Sequence, residues 1–417
     1  MIENRPELVS AIRARFAHVD ECPFQGPRIF FENAGGALTL KSVVETSARF
    51  AAIPDNQGRD NAASHALVDI IARARAGMAT MMNTSSGQFF VGESGTELLF
   101  RMIRTACVNA PGGAKVIGSS IEHPASRSAA RRWAEIAGLD YVDTGHDDAT
   151  GMVTPEHYAA RMTPDVAVAT ILHASPVTGM GMDVAGIAAA IRATAPEAMI
   201  IVDGIQHAAH GQLDIDSYNV DGYAISPYKV FSRHGYGVAW ISDRLTALPH
   251  DMLIDAPAGG WEFGTRDTGS YATMSDVVDY FDWLGGEVSG ETGRRARIEA
   301  AGRAIHAYET HLTNALIHGT GNLPGLAEMD GVTIIGGADN PAREGLVCIA
   351  VADMPSPEVV ARLNGAGIRT HTRKADHYSG NVLTPLGLED SIRISLCHYN
   401  TEAEVAALLS VMKEMLG

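Results

Sequence analysis

An acid and an amine each follow an apolar run in the middle of the chain. Asp203 ends the run at residues 200–203, and Lys229 lies four residues after a second run, residues 222–225. Open α/β sheets bind their ligands beyond the carboxyl ends of such strands. Taken alone, Asp203 is more simply interpreted as a helix-capping carboxylate and Lys229 as a surface lysine. Together they can hold a heteroaromatic aldehyde, the amine as a Schiff base and the acid at a ring nitrogen.

The scarcity of lysine supports Lys229 as the reactive amine. A lysine at the end of a buried strand loses hydration, which lowers the pKa of its amine and makes it nucleophilic. The sequence therefore predicts pyridoxal phosphate as the cofactor, with Asp203 keeping the pyridine nitrogen protonated so that the ring accepts electrons from a carbanion. The other lysines lie at positions typical of solvated side chains or in a cationic segment, and they are Lys41, Lys115, Lys374 and Lys413.

Pyridoxal phosphate also needs an anion site and a flat partner for its ring. The Gly-rich turn at residues 92–97 leads from a predicted strand into a predicted helix. The first N–H groups and the dipole of such a helix favour a phosphate, so Gly95 and Thr96 are predicted contacts. The turn contains neither the GK[ST] of a Walker loop nor a GxGxxG fingerprint. His123 follows a third predicted strand and is predicted to stack on the ring, although a lone histidine is more often structural.

The elements that must position these residues form an α/β pattern. Short apolar runs alternate with amphipathic stretches between residues 88 and 241. This alternation predicts a mostly parallel seven-stranded sheet with crossover helices. The predicted helices are 96–108, 124–137 and 184–194, and the predicted strands are 88–91, 115–118, 141–143, 166–173, 199–202, 222–225 and 237–241.

A change of composition after residue 285 indicates a second domain. Glycine-rich residues 286–293 lead into an arginine-rich helix predicted at residues 294–313. We therefore predict a large cofactor-binding domain at residues 1–285 and a smaller α+β domain at residues 286–417. The elements predicted beyond that helix are strands 332–335, 346–351 and 392–396 and a closing helix, 401–415.

The overall composition limits the class of protein. The chain is 46% hydrophobic and 19% charged, which is ordinary for a globular protein, and its net charge of −17 disfavours nucleic-acid binding. Four widely spaced cysteines without a CxxC pair give no zinc or dithiol motif. We find no secretory signal and no run long enough to span a bilayer. The sequence therefore predicts a cytoplasmic protein that binds no metal, nucleic acid or membrane.

These segments, taken in order, resemble the class V aminotransferase and cysteine desulfurase group of fold-type I pyridoxal-phosphate enzymes. The resemblance extends from about residue 30 to about residue 409. It rests on matching stretches in matching order, at residues 95–97, 122–123, 173–179, 203–210, 226–229, 261–265 and 393–401.

The resemblance implies a homodimer with a shared active site and a role for each matching residue. Arg393 is implied to bind the substrate carboxylate, which suits a bidentate guanidinium, although a buried structural salt bridge is the alternative. Lys229 is implied to form the Schiff base and to move protons. The implied cofactor contacts are Thr96 and Ser226 at the phosphate, His123 on the ring, Asp203 at the pyridine nitrogen, Gln206 near the phenolic oxygen, and Thr265 at the phosphate of the neighbouring subunit.

Two departures from the family lie beside the cofactor. Tyr228 precedes the reactive lysine, where relatives often have histidine, and its phenol can still donate to the phosphate. Pro176 stands where many relatives have asparagine, which removes one side-chain hydrogen bond. Gln206 is therefore expected to tune the phenolic oxygen alone.

A third departure affects the reaction. Desulfurases present a nucleophilic cysteine after the position of residues 367–369, but here no cysteine occurs between Cys348 and Cys397. Persulfide chemistry is therefore not expected. Residues 370–377, which we interpret as a loop, are rich in cationic and imidazole groups instead. This composition predicts recognition of a second anionic group on the substrate, with Arg369 and Arg373 as substrate contacts.

We expect a pyridoxal-phosphate aminotransferase that acts on an amino acid or an amine. β-Elimination, including C–S lyase chemistry, and epimerisation stay open because all three reactions begin with the same carbanion. A nucleotide-binding oxidoreductase is disfavoured by the lack of GxGxxG. A regulatory module without turnover is disfavoured by the strong acidity and the lack of a DNA-binding appendage.

Overall fold

The computed structural model describes residues 2–417, and a seven-stranded sheet lies at its centre. Across the sheet the order is β1-β7-β6-β5-β4-β2-β3, and β7 alone runs antiparallel to its neighbours among these described strands. The predicted mostly parallel seven-stranded sheet is confirmed, with each strand end within one residue of its expected position. The strands are β1 (Gln88–Gly92), β2 (Lys115–Gly118), β3 (Asp140–Asp143), β4 (Val166–Leu172), β5 (Met199–Asp203), β6 (Gly222–Ile225) and β7 (Gly237–Ile241).

Both faces of this sheet are buried, which explains the continuous apolar runs in its strands. Ile200 and Ile201 are fully buried but belong to different hydrophobic clusters, because successive side chains of a strand point to opposite faces. Helices α4 (Gly95–Val108) and α5 (Pro124–Ala137) pack on one face. The other face packs against α3 (Ala62–Met82), α6 (Val184–Thr194) and α7 (Thr268–Val288).

A smaller antiparallel sheet forms in the carboxyl-terminal part, as the prediction of an α+β unit requires. Its order is β8-β9-β11-β10. Helix α8 (Arg294–His318) leads into it, and α9 (Ser356–Gly365) and α10 (Glu402–Leu416) accompany it. The domain division at residue 285 stays a prediction. The strands are β8 (Val332–Ile334), β9 (Leu346–Val351), β10 (His371–Lys374) and β11 (Asp390–Ser395).

The interpretation of residues 370–377 as a loop is wrong for β10. Its backbone pairs with β11, with Arg373 opposite Ser391 and His371 opposite Arg393. β10 is an edge strand with polar side chains on both faces, so it lacks the apolar alternation by which strands are identified in a sequence.

The amino-terminal segment joins the small sheet, which the sequence did not indicate. Ile29–Phe30 pair in parallel with Ile368–Arg369, and Glu32 forms a bridge with Ser395. This pairing brings residues 32–36 beside β11. Two further helices of this part are α1 (Pro6–Arg13) and α2 (Lys41–Ala51).

The remaining elements are short and lie in connecting segments. Over residues 2–417, none of the helices combines the length and apolar character that crossing a membrane requires. The short strands are Glu21–Cys22, Gly26–Pro27, Gly319–Thr320 and Leu323–Pro324, and the short helices are Ile2–Asn4, Asn33–Gly35, Pro155–Ala159, His207–Ala209, Ile215–Tyr218, Pro227–Lys229, Asp243–Thr246, Leu326–Glu328 and Gly380–Leu383.

Candidate functional site

The carboxyl ends of three strands meet at one edge of the large sheet. β5 ends at Asp203, β6 continues through the single turn Pro227–Lys229, and β1 leads into the amino terminus of α4. Because β1, β5 and β6 run in the same direction, the residues that follow them lie close together. They line a cavity, here called the inner cavity, whose lining includes seven predicted residues: Thr96, His123, Asp203, Gln206, Ser226, Tyr228 and Lys229.

A second space of about 470 Å³, the outer cavity, adjoins the inner one. His123, Tyr228 and Lys229 line both, so the two cavities form one site. The predicted substrate residues Arg373 and Arg393 line the outer cavity. Sequence reasoning missed several lining residues, namely Leu172, Ala174 and Ile205 in the inner cavity and Glu32, Gly35 and Tyr378 in the outer one.

Three predicted residues lie outside both cavities: Gly95, which precedes Thr96 in the first turn of α4, Arg369 and Thr265. Arg369 pairs with Glu32, with 3.2 Å between its Nε and a carboxylate oxygen. Thr265 is exposed, and its implied contact with the phosphate of a neighbouring subunit stays a prediction.

The Lys229 amine is partly buried and lies 3.3 Å from the side-chain oxygen of Gln206. Burial, and secondly the charge of Arg393, lower the pKa of this amine from 10.5 to about 8, while Asp203 opposes the shift. A free, nucleophilic amine is therefore far more accessible near neutral pH than on a solvated lysine.

The Asp203 carboxyl is 2% exposed and accepts a hydrogen bond of 3.1 Å from the backbone amide of Ile205. Burial raises the pKa of this carboxyl to about 6, against the opposing effects of the Ile205 amide and the Lys229 charge. The group is therefore largely ionised at neutral pH and can pair with a protonated ring nitrogen.

His123 presents an uncharged ring to the site. It caps α5 by accepting a hydrogen bond of 3.1 Å at Nδ1 from the amide of Ala125, so Nε2 carries the proton. Burial, followed by the charge of Lys229, lowers the pKa of His123 to about 3. A neutral aromatic ring in this place suits stacking on a cofactor ring better than it suits proton transfer.

The amino terminus of α4 offers the backbone donors that binding an anion requires. The Ser94 hydroxyl caps the helix by accepting from the amide of Glu97 at 3.1 Å, and the amides of Gly95 and Thr96 belong to the first turn, which has no intrahelical acceptor for them. A Cβ at Gly95 would lie 2.5 Å from the Ser226 hydroxyl. Glycine is therefore needed for α4 to approach Ser226 this closely.

The chain matches a family of known proteins over most of its length. A family model described as Aminotransferase class-V matches residues 29–408. The chain belongs to the class V aminotransferase family. A Xylella fastidiosa protein named "Probable cysteine desulfurase" is 26% identical over 94% of this chain and 92% of its own length. An "Aminotransferase-like protein FGM3" of Gibberella zeae is 25% identical over 93% and 95% of the two chains.

Solved structures show the same fold. The cysteine desulfurase CsdA of Escherichia coli matches with a TM-score of 0.79 at 21% identity, over 98% of this chain and 99% of that one. Its likeness supports the fold-type I architecture inferred from the sequence.

Pyridoxal phosphate is the cofactor of this class V family member. The residues present fit it, since the inner cavity combines an amine, a buried carboxylate, a neutral imidazole and a helix amino terminus. Lys229 would carry the aldehyde carbon, Asp203 the pyridine nitrogen and His123 one face of the ring. Thr96, Ser226 and the first amides of α4 would bind the phosphate.

The low pKa of Lys229 predicts how the cofactor-free protein takes up pyridoxal phosphate. Only the free amine attacks the aldehyde, so the rate should rise about tenfold per pH unit below the pKa and level off above about 8. The measurement is stopped-flow absorbance of bound cofactor between pH 6 and 10, with N-acetyl-lysine amide as the solvated control. A rate that still rises tenfold between pH 9 and 10 would contradict a buried amine.

Tyr228 and Pro176, the two residues that differ from the family pattern near the predicted cofactor site, both line the site. The Tyr228 ring stacks on His234, with 4.3 Å between ring centroids, and lines both cavities. The Pro176 carbonyl accepts a hydrogen bond of 3.1 Å from Nη1 of Arg393. Pro176 thus orients the arginine through its backbone.

None of the cysteines lines either cavity within the part of the chain that the structure describes. All four are buried. Burial raises the pKa of the Cys348 and Cys397 thiols, and that of Cys107 to about 12, so these groups are protonated and inert. Backbone amides, that of Phe24 first, lower the pKa of the Cys22 thiol, which lies in the amino-terminal hairpin.

A buried chain of polar groups supports Gln206. Its amide nitrogen lies 3.3 Å from Nε2 of His210, whose Nδ1 lies 2.7 Å from a carboxylate oxygen of Glu309 on α8. The other oxygen of Glu309 accepts from the backbone amide of His398 at 3.0 Å. No sequence pattern indicated Glu309, which is 99 positions from His210. These hydrogen-bonded groups fix the orientation of the Gln206 side chain toward Lys229.

Proposed function

We propose that this class V protein is an aminotransferase acting on an amino acid or an amine. The observation that carries the proposal is that the Lys229 amine and the buried Arg393 line the same site. Over residues 2–417, no cysteine lines that site. Arginine binds carboxylates in a bidentate manner, so an α-amino acid fits with its amino group toward Lys229.

Pyridoxal phosphate, when bound, supplies an aldehyde that condenses with amines and a ring that accepts electrons released at the substrate α-carbon. In this proposal Lys229 Nζ removes the proton from the substrate α-carbon and then returns a proton to the carbon that carried the cofactor aldehyde. A pKa of about 8 suits both steps, because a general acid and base works best near the operating pH. Asp203 holds the proton at the ring nitrogen, and Arg393 holds the substrate carboxylate.

We also propose a cytoplasmic homodimer with a shared active site, built from domains that divide near residue 285. The exposed position of Thr265, outside the cavities of its own subunit, supports a contact across a dimer interface. The strongly acidic composition supports an enzyme that binds small molecules rather than nucleic acid.

The second candidate is β-elimination from a substituted alanine, such as a C–S lyase reaction. Relatives and structural neighbours named as cysteine desulfurases favour it. Elimination needs the same α-proton transfer but no sulfur-accepting cysteine, so the buried thiols of this chain are compatible with it.

A single-turnover assay separates the two candidates. The holoenzyme is mixed with single amino acids without a keto-acid acceptor. An aminotransferase should release no more than one keto acid per subunit, without ammonia, and continue only when a second keto acid is added. Continuous release of keto acid with equal ammonia overturns the proposal in favour of elimination, and a change of configuration without keto acid overturns it in favour of epimerisation.

A further inference from the structure

Two arginines of the small sheet face the outer cavity from the same side. In the antiparallel pair β10-β11, His371 is opposite Arg393 and Arg373 is opposite Ser391. Side chains of opposite residues lie on one face, and alternate residues of a strand share a face. Arg373 and Arg393 are therefore diagonal neighbours, and both line the outer cavity.

Neither guanidinium has a carboxylate partner within 4.0 Å among residues 2–417. The Nη1 of Arg393 donates to the Pro176 carbonyl at 3.1 Å, and an Nη2 hydrogen of Arg373 points to the Tyr378 carbonyl at 3.5 Å. The Nε atom of each arginine is buried without a hydrogen-bond partner. Arg393 is only 3% exposed. Arg393 is thus buried and Arg373 half-buried, and backbone carbonyl groups are their sole described hydrogen-bond acceptors.

The carboxylates that line the outer cavity already have ion-pair or hydrogen-bond partners other than these two arginines. The two oxygens of Glu32 lie 3.2 Å from Nε of Arg369 and 3.3 Å from Nδ1 of His371. Asp376 is exposed and accepts from the amide of Tyr378 at 2.8 Å. The predicted phosphate contacts Thr96 and Ser226 border only the inner cavity, whereas both arginines border only the outer one.

Two adjacent, poorly hydrated cations, neither in contact with a carboxylate, are unfavourable, and a ligand that supplies anions there is favoured by the same electrostatics. One α-carboxylate compensates one guanidinium. The lack of a side chain on Gly35 keeps space open beside Arg393, because a Cβ there would lie 3.4 Å from its Nη2. The outer cavity therefore has room for a second anionic group, and the positive charge of Arg373 can bind it.

We propose that the substrate is an α-amino acid whose side chain carries a second anionic group, a carboxylate or a sulfinate, which Arg373 binds while Arg393 binds the α-carboxylate. This inference rests on the proposed function, since it assumes that an amino acid reacts at Lys229. It narrows the substrate class from amino acids and amines in general to short acidic amino acids.

The test is a titration of the holoenzyme followed by the absorbance of its bound cofactor. L-Aspartate, L-glutamate and L-cysteine sulfinate are compared with their neutral counterparts L-asparagine, L-glutamine and L-alanine. The acidic amino acids should bind about 10- to 100-fold more tightly, as expected for one additional charge-assisted interaction. Within the acidic set, the preferred member distinguishes a carboxylate from a sulfinate.

Arg373→Gln should remove this preference. Its Kd for acidic amino acids should rise about 10- to 100-fold, while its Kd for neutral ones changes less than about twofold. Arg373→Lys should restore part of the loss, because it keeps the charge. Arg362→Gln, at an exposed position of α9 that pairs with Glu358, is the control and should change neither Kd.

Three outcomes would overturn the inference. Equal Kd values for aspartate and asparagine in the unmodified enzyme would exclude a second anion site. Equal losses for both classes in Arg373→Gln, with a lower melting temperature, would assign Arg373 a structural role. A cofactor absorbance that responds to no amino acid would instead reject the proposed function, and the inference with it.

Discussion

Replacing Lys229 with alanine is expected to lower kcat by about 10⁴-fold, the upper end of the range for loss of a general acid and base. The same side chain anchors the cofactor and moves the substrate proton, so both functions are lost together. Lys229 is the one amine among the described residues that line the inner cavity, beside Asp203 and Gln206, whereas Lys374 borders only the outer cavity. The measurement is steady-state turnover with the best amino acid of the panel.

Two controls separate this loss from misfolding. Lys413→Ala, in the closing helix, should retain full activity. The melting temperature of the cofactor-free Lys229→Ala protein should equal or exceed that of the unmodified protein, since an amine whose pKa burial lowers to about 8 is removed. Turnover within tenfold of the unmodified enzyme would refute the assignment of Lys229.

The second large effect is expected for Asp203→Asn, which should lower kcat by about 10³-fold, as for the loss of one oriented electrostatic group in an active site. The change keeps the shape of the side chain but removes the negative charge that holds a proton at the ring nitrogen. The cofactor then accepts electrons less readily, while the amine at Lys229 and the phosphate contacts stay in place.

The loss in Asp203→Asn should therefore appear in kcat, with the cofactor still bound and KM changed by less than about threefold. Its matched control is Asp165→Asn, at an exposed carboxylate that pairs with Lys115. If Asp203→Asn keeps kcat within threefold, or loses activity only by releasing the cofactor, Asp203 is a structural residue.

The inner cavity was predictable from the sequence for a physical reason. Asp203 and Lys229 follow buried parallel strands, whose apolar runs are continuous and whose carboxyl ends share one edge. Two local sequence patterns therefore indicated that the side chains of Asp203 and Lys229 lie close together in the fold. His123 and the turn before α4 follow the same rule, because each lies at the end of a strand in the same sheet.

The outer cavity was less predictable because it depends on pairings between distant segments. Glu32 and Gly35 reach it through the pairing of Ile29–Phe30 with Ile368–Arg369, more than 300 positions away. The strand β10 was interpreted as a loop because its side chains are polar on both faces. Only the register with β11 shows that Arg373 and Arg393 share a face.

The most direct test of the central claim is reduction of the yellow holoenzyme with borohydride, followed by proteolysis and mass spectrometry. Reduction fixes the carbon–nitrogen bond, so the attachment site can be identified. We predict one cofactor-derived mass increase per subunit, on the peptide that contains Lys229. A modified peptide containing Lys41, Lys115, Lys374 or Lys413 instead, or no modified peptide from a coloured protein, would contradict the account.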